Sequence, residues 1–209
     1  MDKLDKKGKQ KMIAVIDIGS GNLSSVANAL KYLNAQYKIT SKNEDIEQAD
    51  KVIFPGVGNF GNAMSNLKKQ GLIESIKKAI SDKKPFLGIC LGMQLLFDES
   101  EESPNKKGLV IFEGKVRKFK VGLKVPQIGW NQIKIKNGKV FKGIKGSPYM
   151  YFVHSYYAEP ADKSIITATT DYGIDFASAI EKDNVFAVQF HPEKSGEVGL
   201  KILENFLKC

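Results

Sequence analysis

Phe86-Leu87-Gly88-Ile89-Cys90-Leu91-Gly92 sets a small nucleophile between two glycines, at the point where an apolar strand turns sharply into a helix. Glycines on both sides of such a turn leave room for a strained backbone and for close packing of strand on helix. Working outward, the same alternation continues on the N-terminal side. Met12-Ile13-Ala14-Val15-Ile16 is a continuous apolar run ending at Asp17, the pattern of a strand buried on both faces. Gly19-Ser20-Gly21-Asn22 turns the chain, and Leu23, Val26, Ala27, Leu30 and Leu33 follow at helical spacing. Lys51-Val52-Ile53-Phe54 reads as a strand, a glycine loop follows, and a helical stretch runs through Leu67 and Ile73 to Ile80 before the Pro85-Phe86-Leu87-Gly88 strand. Strand, helix, strand, helix predicts an α/β fold with a central, mostly parallel sheet flanked by helices.

Past Glu99 the texture changes to short alternating runs at 108–119, 132–135, 149–153, 165–170 and 176–181, which predict an additional antiparallel sheet. Val185-Phe186-Ala187-Val188-Gln189 returns to the buried-strand pattern, and 198–207 closes the chain with an amphipathic helix. No internal repeat or low-complexity linker divides the chain, so residues 12–209 read as one domain behind a basic tail, residues 1–11.

With 209 residues, 42% of them hydrophobic, the chain can bury one substantial core. No apolar run is long enough to span a bilayer, and the tail has no apolar segment behind its lysines, so a cytoplasmic protein without membrane contact is expected. The two cysteines are Cys90 and the last residue, Cys209, which fits reduced thiols better than a disulfide. Of the net charge of +9, the tail holds five lysines against two aspartates, and the remaining basic residues are scattered lysines with one arginine, Arg117. Phosphate and base recognition lean on the bidentate arginine fork, so nucleic acid is not an expected partner.

A thiol needs a base to become thiolate, and the base needs a partner to fix its tautomer. His191-Pro192-Glu193 supplies both, because proline biases His191 to an extended conformation in which residues two apart share a face. The rival His154 has no acidic neighbour until Glu159 and is read as structural. The Cys90 thiolate is expected to face the N-terminus of the helix beginning near Leu91. Gly56-x-Gly58-x-x-Gly61 also satisfies the dinucleotide-binding pattern, but it follows the third apparent strand rather than the first, and the next strand ends in Cys90 instead of an acid. No cofactor is expected. Asp98-Glu99 and Glu101-Glu102, with no histidine or cysteine beside them, read as a solvated loop rather than a metal site.

Gly88-Ile89-Cys90-Leu91-Gly92-Met93-Gln94 together with His191-Pro192-Glu193 resembles the class I (triad) glutamine amidotransferases, whose fold is flavodoxin-like. Within that class, Pro55-Gly56-Val57-Gly58-Asn59-Phe60-Gly61, Gly129-Trp130-Asn131, the stretch 151–156 and His191-Pro192-Glu193-Lys194-Ser195 are similar to the glutaminase subunits of imidazole glycerol phosphate synthases. The resemblance runs from about Met12 to the C-terminus. It implies that Cys90 attacks the carboxamide of L-glutamine, that His191 protonates the departing ammonia, and that water hydrolyses the glutamyl thioester. It also implies an oxyanion hole from the backbone of Leu91 and of Val57 and Gly58, with a peptide in the latter strand that must turn before it points inward. Gly56, Gly58, Gln94, Ser155 and Tyr156 would hold the substrate.

Ammonia would pass to a separate (β/α)8-barrel cyclase subunit in a heterodimer, past Trp130, Tyr151 and Lys194. The cyclase forms imidazole glycerol phosphate and an aminoimidazole carboxamide ribonucleotide in histidine biosynthesis. By themselves, Trp130 and Tyr151 would read as core aromatics and Lys194 as a surface lysine. The chain departs from the family's usual Val-Pro-His-Met-Gly-Trp-Asn at Gln127-Ile128. That leaves open a paralogous glutaminase feeding another synthase, such as one that modifies a surface-polysaccharide sugar. A non-catalytic partner-binding module and a cysteine peptidase of similar topology are the readings from other classes.

Overall fold

The computed structural model describes residues 11–19 and 22–209. The basic tail apart from Lys11, and Ser20 and Gly21 of the first turn, lie outside the described residues.

Among the described residues the central sheet has eight strands. Five run parallel in the spatial order β2 (Gln36–Thr40), β1 (Met12–Ile16), β3 (Lys51–Gly56), β4 (Phe86–Cys90), β13 (Val185–Val188). The antiparallel strands β12 (Asp175–Lys182), β11 (Ile166–Asp171) and β8 (Lys134–Ile135) complete it. A three-stranded sheet joins β10 (Tyr156–Pro160), β6 (Phe112–Lys118) and β5 (Phe97–Ser100), and a two-stranded ribbon pairs β7 (Gln127–Gln132) with β9 (Tyr149–His154).

Alternating strand residues feed two core layers. On one face Ile13, Val15, Ile53 and Leu87 pack under α1 (Leu23–Tyr32) and α6 (Gly196–Leu207), through Val26, Leu30, Leu203 and Phe206. On the other, Ala14, Val52, Phe54 and Phe86 meet α2 (Asn43–Gln48), α3 (Phe60–Gln70) and α4 (Ile73–Ser81). The predicted helical stretch from the glycine loop to Ile80 is thus two helices. Gly71 ends α3 in the left-handed region, at φ 69°, and donates its N–H to Lys68, the ordinary glycine stop.

Two further expectations need correcting. The second sheet is not wholly antiparallel, because β5 runs parallel to β6. Asp98 and Glu99 are strand residues rather than loop: Asp98 accepts the Gly114 N–H at 3.0 Å, and Glu99 pairs with Lys115 both in the ladder and as an ion pair at 3.1 Å. Among the described residues no helix is long and apolar enough to cross a membrane, and no group of three or more His, Cys, Asp or Glu is placed to hold a metal ion.

Candidate active site

Cys90 ends β4 and begins the one-turn helix α5 (Leu91–Gln94) with φ 55° and ψ −109°, a conformation that a non-glycine residue adopts only when its surroundings impose it. The surroundings are the two glycines. A Cβ at Gly92 would lie 1.9 Å from the Phe54 carbonyl oxygen, and one at Gly88 would lie 2.9 Å from the Gly92 oxygen. Strand and helix therefore touch backbone to backbone, and the thiol projects from the corner. Because α5 is a single turn, few peptide dipoles align behind it, so the expected activation by a helix macrodipole is small. What α5 does supply is the N–H groups of its first turn, beginning with Leu91, which have no carbonyl within the helix to bond.

His191 follows β13 in an extended conformation (φ −100°, ψ 95°), and its N–H donates to the Tyr151 carbonyl at 2.9 Å. Glu193 reaches it differently from the strand geometry expected. Residues 192–194 form a 3-10 turn, and that turn brings Glu193 Oε1 to 2.8 Å from His191 Nδ1, with both side chains almost fully buried. Ser195 locks the turn: its Oγ donates to the His191 carbonyl at 2.6 Å and accepts the Tyr151 N–H at 3.0 Å. Burial alone would hold the imidazole neutral, yet the neighbouring Cys90 and Glu193 side chains outweigh it and raise His191 to about 10. His191 Nε2 is buried and has no hydrogen-bond partner among the described residues.

A group whose affinity for protons is raised on folding stabilises the fold fully below its unfolded value of 6.5, and that contribution is lost as the pH rises through about 10. In Cys90→Ala the contribution of the sulfur is gone while burial remains, so the His191 midpoint is expected to fall. NMR titration of the imidazole resonances checks this, and an unmoved midpoint would remove Cys90 from the pair.

Beside the thiol lies a cavity of about 290 Å³, lined by Val57, Gly58, Leu91 and Gln94 on one side and Ser155 and Tyr156 on the other. Of the residues expected to hold substrate, only Gly56 is missing from its wall. Gly56 pairs with Cys90 in the ladder, and a Cβ there would come within 3.2 Å of the Leu91 Cβ, so its contribution is to packing. Gly58 has φ 101°, and among the described residues no hydrogen bond engages the Val57 or Gly58 backbone. Gln94 spends its amide protons on the Tyr156 carbonyl at 2.9 Å and Gln189 Oε1 at 3.0 Å, which leaves its own oxygen for a ligand.

His154 also lines the cavity. Burial lowers it to about 4, against the pull of the Tyr156 carbonyl, so it is neutral. Its one N–H goes to that carbonyl from Nδ1 at 2.8 Å, which makes Nε2 an acceptor. Gln127 Oε1 stands 2.9 Å from Nε2, while the Gln127 amide nitrogen is buried with no partner among the described residues. Turning the carboxamide so that its nitrogen faces Nε2 satisfies both groups. The departure at position 127 therefore lies inside the molecule, while its neighbours Ile128 and Trp130, about 60% and 56% exposed, face outward.

Trp130, Tyr151 and Lys194 do come together: the two rings meet edge to face at 6.2 Å, and Lys194 Nζ sits 5.7 Å from the Tyr151 ring centre. Trp130 is thus not the core aromatic that composition alone would suggest.

Three contributors went unread in the sequence. Glu102, assigned to a solvated loop, lines the cavity and accepts the Phe60 N–H at 2.6 Å. Gln189 is fully buried and directs its amide nitrogen to Cys90 Sγ at 3.7 Å. A signal existed for it: Gln189 precedes His191 by two in an extended segment and so shares its face. Ser195 is the third, and nothing in its sequence context announced the lock it forms.

The sequence profile of glutamine amidotransferase class-I matches residues 14–209. The imidazole glycerol phosphate synthase subunit HisH of Methanocaldococcus jannaschii is 54% identical over 198 residues, covering 94% of this chain and 99% of that protein. The protein of the same name from Caldanaerobacter subterraneus is 52% identical over 202 residues, covering 95% and 100%. Among solved structures, one described as a glutamine amidotransferase superposes with a TM-score of 0.74 at 22% identity, covering 93% of this chain and 98% of that one, which bears on the fold alone. With a profile spanning nearly its whole length and relatives matched end to end at about half identity, the chain belongs to the class I glutamine amidotransferases.

Proposed function

We propose that this chain is the glutaminase subunit of an imidazole glycerol phosphate synthase, hydrolysing L-glutamine and handing the ammonia to a (β/α)8-barrel cyclase. The observation that carries the reading is end-to-end similarity to proteins of that name, with Cys90 on the cavity wall and the buried His191–Glu193 pair acting on it from behind that wall. Cys90 Sγ adds to the carboxamide carbon of glutamine. The oxygen becomes an oxyanion held by the Leu91 N–H and by the Val57–Gly58 peptide once that N–H faces inward. His191 gives its proton to the nitrogen as the C–N bond breaks, releasing ammonia and leaving a γ-glutamyl thioester. A water then loses a proton to His191 and attacks the thioester, and glutamate departs as the thiolate re-forms. Glu193 holds the imidazole tautomer throughout and balances its charge. Gln94 Oε1, Glu102 and the Ser155–Tyr156 backbone are the groups available to the α-amino and α-carboxyl ends of the substrate.

The surface formed by Ile128, Trp130, Tyr149 and Tyr151, with Lys194 beside it, is the docking face for the cyclase. Exposed large apolar side chains on one ribbon suit a partner interface. Trp130→Ala is expected to weaken the complex by about 30-fold, the effect of losing a central aromatic anchor, as measured by calorimetric titration against the cyclase. The function itself is tested by assaying glutamate release with and without the histidine-pathway cyclase and its nucleotide ligand. Strong stimulation is expected. A cyclase that neither binds nor stimulates would assign the chain to a different synthase.

A further inference from the structure

The mechanism leaves one buried polar side chain beside the nucleophile unused. Cys90 is only 5% exposed, so forming a thiolate there removes an anion from water, and each hydrogen-bond donor aimed at the sulfur offsets that cost. As a thiol, Cys90 is 4.0 Å from the Val153 carbonyl, a partner that can accept from S–H but gives nothing to S⁻. The titratable group that faces the sulfur is His191, and Gln189 faces it too, with its amide nitrogen 3.7 Å away.

The orientation of that amide is dictated by its neighbours. The Tyr156 carbonyl can only accept, and it faces both His154 Nδ1 at 2.8 Å and Gln94 Nε2 at 2.9 Å. Reversing the Gln94 amide would set oxygen against oxygen, so Gln94 must present N–H to Tyr156. The second proton on that nitrogen points to Gln189 at 3.0 Å and requires an oxygen there. Gln189 is thereby committed, its oxygen to Gln94 and its amino group to the sulfur.

We propose that Gln189 is a further catalytic residue, whose side-chain N–H, oriented through Tyr156 and Gln94, donates to Cys90 Sγ and stabilises the thiolate that attacks glutamine. The assignment rests on the reading of Cys90 as the nucleophile. It gives Gln94 a second duty besides the substrate, since the residue that lines the cavity also sets which atom Gln189 shows to the sulfur. No proton moves through Gln189. It donates to the anion before attack and again when the thioester breaks.

The test compares the full-length chain with Gln189→Met, which keeps the bulk and removes both polar atoms, and with Gln189→Asn, which keeps an amide but is one methylene shorter. The rate of Cys90 alkylation by iodoacetamide is followed against pH by mass spectrometry of the Cys90 peptide. Both variants are expected to move the alkylation midpoint upward by about one pH unit and to lower kcat/KM for glutamine about tenfold near neutral pH, with kcat carrying most of the loss. Folded variants with an unmoved midpoint would overturn the proposal and leave Gln189 a packing residue.

A measurement on the unmutated protein covers the case in which neither variant folds. The Gln189 side-chain amide resonances should shift downfield as Cys90 ionises and stay fixed in Cys90→Ala; resonances that do not respond to Cys90 would also overturn it. If Cys90→Ala still hydrolyses glutamine, the nucleophile reading itself fails. If that variant is inactive while Gln189 proves indifferent, only the present inference falls.

Discussion

Cys90→Ala is expected to lower glutamine hydrolysis by about 10⁴-fold or more, because the covalent route disappears and no other side chain of the cavity can form a thioester. The substitution keeps the Cβ and so leaves the elbow at φ 55° no more strained than before. The cavity should still bind glutamine, and a partner cyclase supplied with free ammonia should still turn over on the complex. Glutamate release and ammonia-driven synthesis, measured side by side, read the two halves separately. Loss of both would mean that the variant has damaged the docking face, and retention of both would remove Cys90 from the chemistry.

Gly92→Ala is expected to have the largest effect on stability. Its Cβ would sit 1.9 Å from the Phe54 carbonyl oxygen and 3.0 Å from the carbonyl carbon, both main-chain atoms of a central strand that cannot swing aside as a side chain would. Overpacking a core costs about 1–3 kcal/mol when side chains can adjust. Here the yielding atom is backbone, so about 3 kcal/mol or more is expected, a drop in Tm of roughly 10 °C for a chain of this size. Thermal unfolding checks it against Gly122→Ala, where a Cβ meets nothing within 4 Å and little change is expected. Equal stability of the two variants would mean that α5 moves off β3 without cost, and the elbow would then not be the rigid corner described.

The elbow was readable because its residue types have few other uses together: a reactive side chain, two glycines at ±2, and an apolar run on one side. Strands β1, β3, β4 and β13 were readable for a related reason, since a strand covered on both faces must be apolar throughout. Edge strand β2 has no such run. Gln36 and Lys38 face solvent and Ile39 is half exposed, so Gln36–Thr40 looks like loop until β1 is placed beside it. The acidic stretch after Phe97 misled because charges that look solvated in sequence have partners far along the chain, Gly114 for Asp98 and the Phe60 N–H for Glu102. The place of Glu102 on the cavity wall depends on β5 pairing with β6, a contact that sequence spacing does not encode. In the site, Cys90, His191 and Glu193 were visible as chemistry. For Gln189 only the two-residue spacing from His191 marks a shared face, and for Ser195 nothing does; which atom each presents is settled by the fold.

The His191 N–H bonds the carbonyl of Tyr151, and Tyr151 lies in the two-stranded ribbon that also carries Trp130. A ribbon of two strands is the least braced kind of sheet, marginal without support on one of its faces. Here that support comes from the core, where Met150 and Phe152 are buried, so the strand that holds the His191 main chain is anchored on its inner side and open on its outer one. A substitution on the outer face of the ribbon is therefore expected to reach His191 through one main-chain hydrogen bond, without touching a reacting atom.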